Sequence, residues 1–161
     1  MALELQPMSV RDAMQHVRSW HRHSRRIQGG LFAACVVDPD GWPVGVAIVG
    51  RPVSRVLQER GYLEVVRVAT TGARNACSML YGWASREVRS RGASGLVTYI
   101  RADEPGITTR AAGWVHTHTT RARRVGWANR SGRARQDCIA KTRWEPPWSA
   151  EYTRRLAQGG E

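Results

Sequence analysis

The sequence predicts an α+β fold (α/β mixed), in which helices pack on one central sheet. Two observations predict it. Apolar residues recur at helical spacing in two long segments, and short runs of apolar and β-branched residues lie between and after them. The 161 residues are enough for one domain with a substantial core. We therefore expect a single domain over residues 1–158 and a frayed C-terminal tail at residues 159–161.

The first predicted elements are a helix and a β-hairpin. Residues 9–26 carry apolar side chains near helical spacing, and Ser9 is a suitable N-cap. Two glycines end this segment. Apolar, β-branched runs at residues 31–37 and 44–49 then flank a turn at residues 38–41, which is typical of a hairpin.

The middle of the chain predicts a strand–turn–helix unit. Residues 58–61 predict a loop, and residues 63–68 predict a central strand. Small and polar residues at 69–75 predict a turn, which leads into a helix over residues 76–91. Residues 95–100 form the next β-rich run.

The last predicted elements are shorter. Residues 104–112 predict a short helix, and residues 115–120 alternate as a strand does. Residues 121–135 are rich in Arg and Gly without a clear period, which predicts a loop or a mobile hairpin. Residues 138–144 predict the final strand.

Composition and cysteine count argue against a transmembrane protein, a secreted module and a disulfide-bonded scaffold. No run approaches the roughly 18 apolar residues of a membrane span, and the first residues lack the pattern of a secretion signal. Three cysteines are an odd number without metal-ligand spacing, which indicates reduced thiols in a cytoplasmic protein. The pairs His21-x-His23 and His116-x-His118 lack an accompanying Cys or carboxylate cluster, so we predict no metal site.

Basic residues form two clusters along the chain. The formal net charge is +12, and the single lysine among the 25 basic residues is Lys141. Arginines with an interleaved tryptophan suit a phosphate backbone and its bases, so we expect DNA as a partner of a monomer or homodimer. A solvated basic face, or the codon usage of a GC-rich genome, is the alternative. The predicted nucleic-acid-binding residues are Arg22, Arg25, Arg26, Arg121, Arg123, Arg124, Trp127 and Arg130.

The turn at residues 69–75 is a candidate anion site. A strand that enters a helix through small residues directs backbone N–H groups and the positive helix end at one spot, which suits a phosphate. Arg74 can add a charged fork there. An ordinary crossover without a ligand has the same pattern and stays an alternative. Neither a Walker motif nor Gly-x-Gly-x-x-Gly is present, which excludes nucleotide hydrolysis and dinucleotide binding.

The chain resembles the GNAT-type N-acyltransferases on these residues and on those that follow them. The matching segments are Leu63-Glu64-Val65-Val66-Arg67-Val68, residues 74–82, Glu104-Pro105-Gly106 and Arg110-Ala111-Ala112-Gly113-Trp114, about a third of the chain. Within that superfamily it is similar to a small group of phages and mobile elements, and distantly to the Mom-type DNA-modification proteins. The resemblance implies a mixed, twisted sheet of about six to seven strands, with helices on both faces, splayed at the strand pair that holds a coenzyme.

The resemblance implies acetyl-CoA as the acyl donor. Its diphosphate would lie on the amides of Arg74, Asn75, Ala76, Cys77 and Ser78, and its pantetheine along Val66, Arg67 and Val68. The superfamily usually has Arg/Gln-x-x-Gly-x-Gly/Ala at this turn, and here Asn75 and Cys77 stand at the glycine positions. The backbone amides can donate whichever side chain they carry. An oxyanion would meet a backbone N–H near Val66 or Arg67, where the strand is expected to bulge.

The candidate catalytic residues are Glu64, Tyr99 and Thr109. Glu64 is a lone carboxylate in an apolar strand, which favours a general base; the alternative is a rim glutamate paired with an arginine, for example Arg67. Many relatives have a tyrosine as proton donor where this chain has Thr109, so Tyr99 on the neighbouring strand is the substitute. Core packing of Tyr99, or departure of the thiolate without a protein acid, are alternatives.

Three hypotheses remain for the acceptor. The first is an amine-bearing nucleobase in DNA, presented by the arginine clusters. The second is a small-molecule amine, although the basic surface would repel a polyamine. The third is a non-catalytic nucleic-acid-binding protein on the same fold.

Overall fold

The computed structural model describes residues 2–20, 29–122 and 139–159. Its elements, in chain order, are β1 (Glu4–Met8), α1 (Val10–Trp20), β2 (Gly30–Val37), β3 (Pro43–Gly50), α2 (Arg55–Glu59), β4 (Tyr62–Thr70), α3 (Ala76–Ser90), β5 (Gly95–Arg101), α4 (Ile107–Ala111), β6 (Val115–Thr119), β7 (Lys141–Glu145) and α5 (Pro147–Ala157). None of the helices in these ranges combines the length and the apolar composition needed to cross a membrane.

The described strands form one seven-stranded sheet in the order β1-β2-β3-β4-β5-β7-β6. Every neighbouring pair is antiparallel except β4 and β5, which are parallel. The parallel pair is connected through α3, which is long enough to carry the chain back across the sheet. The predicted mixed sheet of six to seven strands is therefore confirmed.

Helices cover both faces of the sheet, as predicted. On one face, Ala13 and Val17 of α1 pack on buried side chains of β2 and β3, namely Ala33, Cys35, Val46 and Ile48. On the other face, α3 packs its apolar stripe, Leu80, Ala84 and Val88, on the sheet. A third group, which includes Tyr62, Val97 and Tyr152, lies on the face away from α3, under α2 and α5. The two faces of the sheet near β4 and β5 are therefore covered by different helices, α3 on one face and α2 with α5 on the other.

Local hydrogen bonds explain why the predicted first helix and the predicted hairpin form. Ser9 caps α1, because its Oγ accepts a hydrogen bond from the N–H of Asp12 at 3.1 Å. In the hairpin, Asp38 Oδ1 accepts from the N–H groups of Asp40 and Trp42, and Gly41 takes a φ of 84°. Both predictions are confirmed. The predicted extension of the first helix through residues 21–26 lies outside the described residues.

Several boundaries differ from the sequence-based expectation. The predicted loop at residues 58–61 is wrong at Gln58 and Glu59, which belong to α2 because Ser54 caps that helix. β4 continues to Thr70, since Ala69 and Thr70 still pair with β3. β1 and α5 were not predicted. Most of the region predicted as a loop, from residue 123 onward, lies outside the described residues.

Candidate functional site

β4 and β5 pair only near their first residues and then separate. The parallel ladder consists of Tyr62 with Gly95, Leu63 with Leu96, and Glu64 with Val97. From Thr98 onward β5 pairs with β7 instead. Thr98 Oγ1 donates to the carbonyl of Val65 at 3.0 Å, so a side chain and not a backbone N–H meets this carbonyl. The strands thus open a V-shaped cleft just beyond Glu64, which confirms the predicted splay.

β4 bulges beside this cleft. Ile48 of β3 is opposite Arg67, whereas the next residue, Val49, is opposite Val65, so Val66 has no partner in the register. A bulge of this kind turns backbone groups away from the regular ladder. The sequence analysis placed the oxyanion-binding N–H at Val66 or Arg67, and the irregularity falls there. The roles of Val66, Arg67 and Val68 toward a ligand stay predictions.

The turn before α3 presents backbone N–H groups that the protein itself does not use. Asn75 has a φ of 67°, the one positive value among the described non-glycine residues. Ala76 N–H donates to the carbonyl of Ala73 at 3.2 Å, so this amide is engaged. Within the described ranges, the N–H groups of Arg74, Asn75, Cys77 and Ser78 have no hydrogen-bond acceptor.

The side chains around this turn leave it accessible. Arg74 and Asn75 are exposed, and Cys77 and Ser78 are half-buried. The Ser78 hydroxyl donates to the carbonyl of Asn75 at 3.0 Å, which holds the first turn of α3. Four open amides at the positive end of a 15-residue helix fit an anionic group such as a diphosphate. That Arg74, Asn75, Ala76, Cys77 and Ser78 bind one stays a prediction, with Ala76 the least available.

Glu64 is buried at the closed end of the cleft. Only 9% of its surface is exposed, and its Oε2 accepts a hydrogen bond from the N–H of Val53 at 3.3 Å. Burial raises the pKa of this carboxyl from its ordinary 4.5 to about 7, against the smaller lowering effects of Val53 and the charge of Lys141. The lowering groups thus do not include Arg67, the partner proposed in the alternative hypothesis for Glu64.

Tyr99 lies on the same face of the sheet as Glu64. Glu64 is opposite Val97, and Tyr99 follows two residues later on β5. The ring packs with Tyr62 and Val97, and burial raises the pKa of its hydroxyl, while Arg143 opposes that shift. Tyr99 is thus partly a core residue and also a neighbour of the carboxylate. Its role as proton donor stays a prediction.

Thr109 is held away from the cleft's solvent. It has no exposed surface, and its hydroxyl donates to the carbonyl of Gly106 at 2.9 Å within the first turn of α4. This geometry favours a structural hydroxyl over a proton donor. The catalytic role of Thr109 stays a prediction that the described contacts do not favour.

A polar group on β7 was missed by the sequence analysis. Lys141, Arg143 and Glu145 alternate along the strand, so all three face the side of the sheet that carries Glu64. Glu145 is fully buried, and four side chains surround its two oxygens. The period-2 pattern of charges was the available signal, but a final strand was predicted there without regard to its faces.

Of the predicted nucleic-acid-binding residues, one belongs to the described ranges. Arg121 is described and exposed. Arg22, Arg25, Arg26, Arg123, Arg124, Trp127 and Arg130 lie outside the described residues. Across residues 2–20, 29–122 and 139–159, no three His, Cys, Asp or Glu side chains group as metal ligands.

Comparison with known proteins gives matches by structure. No protein-family model matches the sequence, and no curated protein does. The chain superposes on ribosomal-protein-S18-alanine N-acetyltransferase from Escherichia coli with a TM-score of 0.60 and 12% identity, covering 92% of this chain and 95% of that one. For spermidine/spermine N-acetyltransferase from Vibrio cholerae the values are 0.62, 9%, 94% and 96%.

A third match is a candidate streptothricin acetyltransferase from Bacillus anthracis, solved with acetyl coenzyme A bound. Its TM-score is 0.61 and its identity 6%, covering 91% of this chain and 98% of that one. At such identities the similarity shows a shared fold. The chain therefore has the GNAT N-acetyltransferase fold that the sequence predicts.

Proposed function

We propose that this protein is an N-acyltransferase that moves an acetyl group from acetyl-CoA to an amine. The observation that carries the proposal is the cleft between β4 and β5, which has a buried carboxylate at its closed end and open amides at the helix beside it. The shared fold supports the same class of reaction.

The residues around the cleft suit the coenzyme. Arg74, Asn75, Cys77 and Ser78 would hold its diphosphate through backbone N–H groups, and the stretch from Val66 to Val68 would hold its pantetheine arm. When bound, acetyl-CoA supplies an acyl group activated as a thioester. Much of the rate then comes from holding the amine beside that group, so few catalytic side chains are needed.

Glu64 is the general base of the proposed reaction. An amine must lose a proton to form an amide, and a carboxylate with a pKa of about 7 is largely ionised just above neutral pH while still accepting a proton well. A backbone N–H at the Val66 bulge would stabilise the negative charge that develops on the carbonyl oxygen. Tyr99, or solvent, would return a proton to the leaving thiolate.

A nucleobase amine in DNA is the leading acceptor in this proposal, and a small-molecule amine is the alternative. The charge of +12 and the two arginine clusters support DNA as the molecule that carries the acceptor amine, as in Mom-type modification. The names of the three matched enzymes give ribosomal protein S18, spermidine/spermine and streptothricin as acceptors, so the shared fold does not select one acceptor. Cys35 and Cys77 are both free thiols, which suits a cytoplasmic setting.

Thermal melts and intact-mass analysis test the proposal. Acetyl-CoA at roughly 100 times its Kd is expected to stabilise the protein by about 2.7 kcal/mol. Labelled acetyl-CoA with a panel of acceptors, DNA included, is expected to yield an acetylated product. Absence of both effects would leave the non-catalytic nucleic-acid-binding hypothesis as the better one.

Replacement of the proposed base separates binding from chemistry. We expect Glu64→Gln to lower turnover by roughly 10²–10⁴-fold with little change in coenzyme affinity, since a general base contributes about that much. In the wild type, kcat/KM is expected to rise with pH through about 7, as Glu64 loses its proton. Glu59→Gln, at an exposed position on α2, is the matched control. Unchanged turnover in Glu64→Gln would remove this residue from the base role.

A further inference from the structure

We propose that the acyl acceptor carries an oxyanion, a phosphate or a carboxylate, which Arg143 and Lys141 bind beside Glu64. This inference rests on the proposed function and adds the chemical class of its acceptor. It follows from how Arg143 is anchored, from the position of Lys141, and from the face that both side chains share with Glu64.

Arg143 is anchored at one end of its guanidinium. Its Nε donates to Thr117 Oγ1 at 3.2 Å and lies 3.4 Å from Glu145 Oε2, and 16% of the side chain is exposed. Among the described residues no backbone carbonyl accepts from its terminal Nη groups, and besides Thr117 the hydroxyl of Tyr99 interacts with the guanidinium. An arginine fixed through Nε with its fork available is preorganised for an oxyanion.

Glu145 is the rigid part of this arrangement. Its Oε1 accepts from Ser149 at 2.8 Å and from Thr153 at 2.7 Å, and its Oε2 accepts from Thr117 at 2.6 Å. Tyr62 Oη in turn lies 2.7 Å from Thr153 Oγ1. Three hydroxyls therefore hold the carboxylate at the Nε end of the Arg143 guanidinium, where it is the counter-charge of this arginine.

Lys141 adds a second positive charge on the same face. It precedes Arg143 by two residues on β7 and is half-buried, and no carboxylate of the described residues forms an ion pair with it. Its charge acts on Glu64 across the cleft. Lysine is also the exception in this chain, because the other 24 of the 25 basic residues are arginine.

The register places these groups around one opening. Tyr99 is opposite Arg143, and Arg101 is opposite Lys141, while Glu64 faces the same side from β4. Glu145 is enclosed and Arg101 pairs with Asp103, whereas Lys141 and Arg143 bring two positive charges to the face that carries the carboxylate of Glu64. An amine that also carries an oxyanion would be held with its nitrogen near Glu64, whereas a polyamine would be repelled.

Matched pairs of acceptors test the inference in the full-length protein. Ethanolamine is compared with phosphoethanolamine, tyramine with tyrosine, and an oligodeoxynucleotide forms a third arm. We expect the wild type to favour the oxyanion-bearing member by at least about tenfold in kcat/KM. Which arm shows the preference distinguishes phosphate, carboxylate and nucleic acid. Equal values for both members of each pair would overturn the inference while leaving the acyltransferase proposal intact.

Substitutions of Lys141 and Arg143 test whether these side chains cause the preference for oxyanion-bearing amines. Lys141→Gln and Arg143→Gln are each expected to bring the ratio close to one. The ratio is measured within each variant, so a change in the overall rate, which Lys141 and Arg143 can cause through Glu64 and Tyr99, does not enter it. Arg143→Lys keeps the charge without the fork and is expected to retain part of the preference. Arg86→Gln, an exposed arginine on α3 across the sheet, is the control. A ratio that stays high in both glutamine variants contradicts the assignment.

A binding measurement needs no turnover and separates the two proposals. Inorganic phosphate is titrated into protein saturated with coenzyme A, so that the helix α3 amides are occupied, and followed by ³¹P NMR. We expect binding in the wild type and loss of most of it in Lys141→Gln and Arg143→Gln. Phosphate binding that is absent, or equal in all variants, overturns the inference. Failure of coenzyme A itself to bind would instead contradict the proposed function.

Discussion

At the scale of single residues, Glu64 combines a functional advantage with a cost in stability. The same burial that brings its pKa to about 7 also disfavours its charged form in the folded protein. The N–H of Val53 and the charge of Lys141 offset part of that effect. A carboxylate so placed is useful to chemistry near neutral pH and destabilises the fold once it is ionised.

The pH dependence of the free energy of unfolding tests whether Glu64 is buried in the folded protein. Its folded pKa is raised, so the folded protein binds the extra proton between pH 4.5 and about 7, and stability falls as pH rises through this window, by about 3 kcal/mol. Gln at this position does not titrate. The free energy of unfolding of Glu64→Gln minus that of the wild type, from urea titrations between pH 5 and 8, should therefore grow with pH. A difference that stays constant would mean that Glu64 is not desolvated.

Asn75 is the second residue with a specific conformational requirement. Its φ of 67° lies in the left-handed region, which a Cβ-bearing residue other than Asn or Asp seldom adopts. We expect Asn75→Ala to destabilise the fold by about 1 kcal/mol and to weaken acetyl-CoA binding, because the turn relaxes. Asn75→Gly should keep both. Urea titration and calorimetric binding measure the two effects, and full tolerance of alanine would contradict this account.

At the scale of elements, the cleft depends on where β5 changes partner. β5 pairs with β4 for three residues and with β7 for the next four, and Thr98 closes the junction by donating to the carbonyl of Val65. Glu145 ties the same region together from β7, because its bonds reach α5 and β6. Where the two strands separate, side chains thus satisfy the carbonyl of Val65 and the carboxylate of Glu145.

The contribution of Glu145 can be measured directly. Its removal would leave Arg143 without its counter-charge and the hydroxyls of Thr117, Ser149 and Thr153 without their carboxylate acceptor. We expect Glu145→Gln to destabilise the protein by about 3–5 kcal/mol, as for other broken buried ion pairs. Thr153→Val, which removes one of these hydroxyls, should cost about 1 kcal/mol and serves as the control. Equal losses in urea titrations would show that the carboxylate is not the centre of the group.

At the scale of the whole molecule, the charge of +12 gives the protein a strong positive field. Such a field attracts nucleic acid whatever the sequence of the bases, and salt weakens the attraction. General attraction and a defined contact surface differ in one respect. If DNA binds a defined contact surface, the arginines on that surface contribute more to DNA affinity than the other arginines do.

Two triple variants of equal charge distinguish these cases. Replacing Arg121, Arg123 and Arg124 by Gln lowers the formal charge by three, from +12 to +9, as does replacing Arg86, Arg89 and Arg154. We expect the first triple to lower DNA affinity and to reduce the slope of log Kobs against log salt by up to about 2.7, and the second to change it little. Fluorescence anisotropy over a salt series measures both. Equal effects would indicate attraction by net charge alone.

Local patterns in the sequence were sufficient to predict many of the helices and strands of this protein. The cap at Ser9, the turn at Asp38 and the alternation of apolar residues act over a few neighbouring positions, so the elements they specify could be predicted. Glu64 was recognisable for the same reason, as one carboxylate in an apolar strand. At the turn of Asn75 and Cys77, where the glycines are missing, the backbone N–H groups of both residues still have no acceptor among the described residues.

The tertiary structure alone decided the rest. β1 exposes most of its side chains and is a strand because β2 supplies its partner, and no local pattern records that pairing. The surroundings of Glu145 come from residues up to 28 positions away, on β6, β7 and α5. Which strand faces share an opening depends on register, and register is set by packing across the whole sheet. The sequence by itself determined the kind of cleft and its carboxylate, and the fold determined which cations lie beside it.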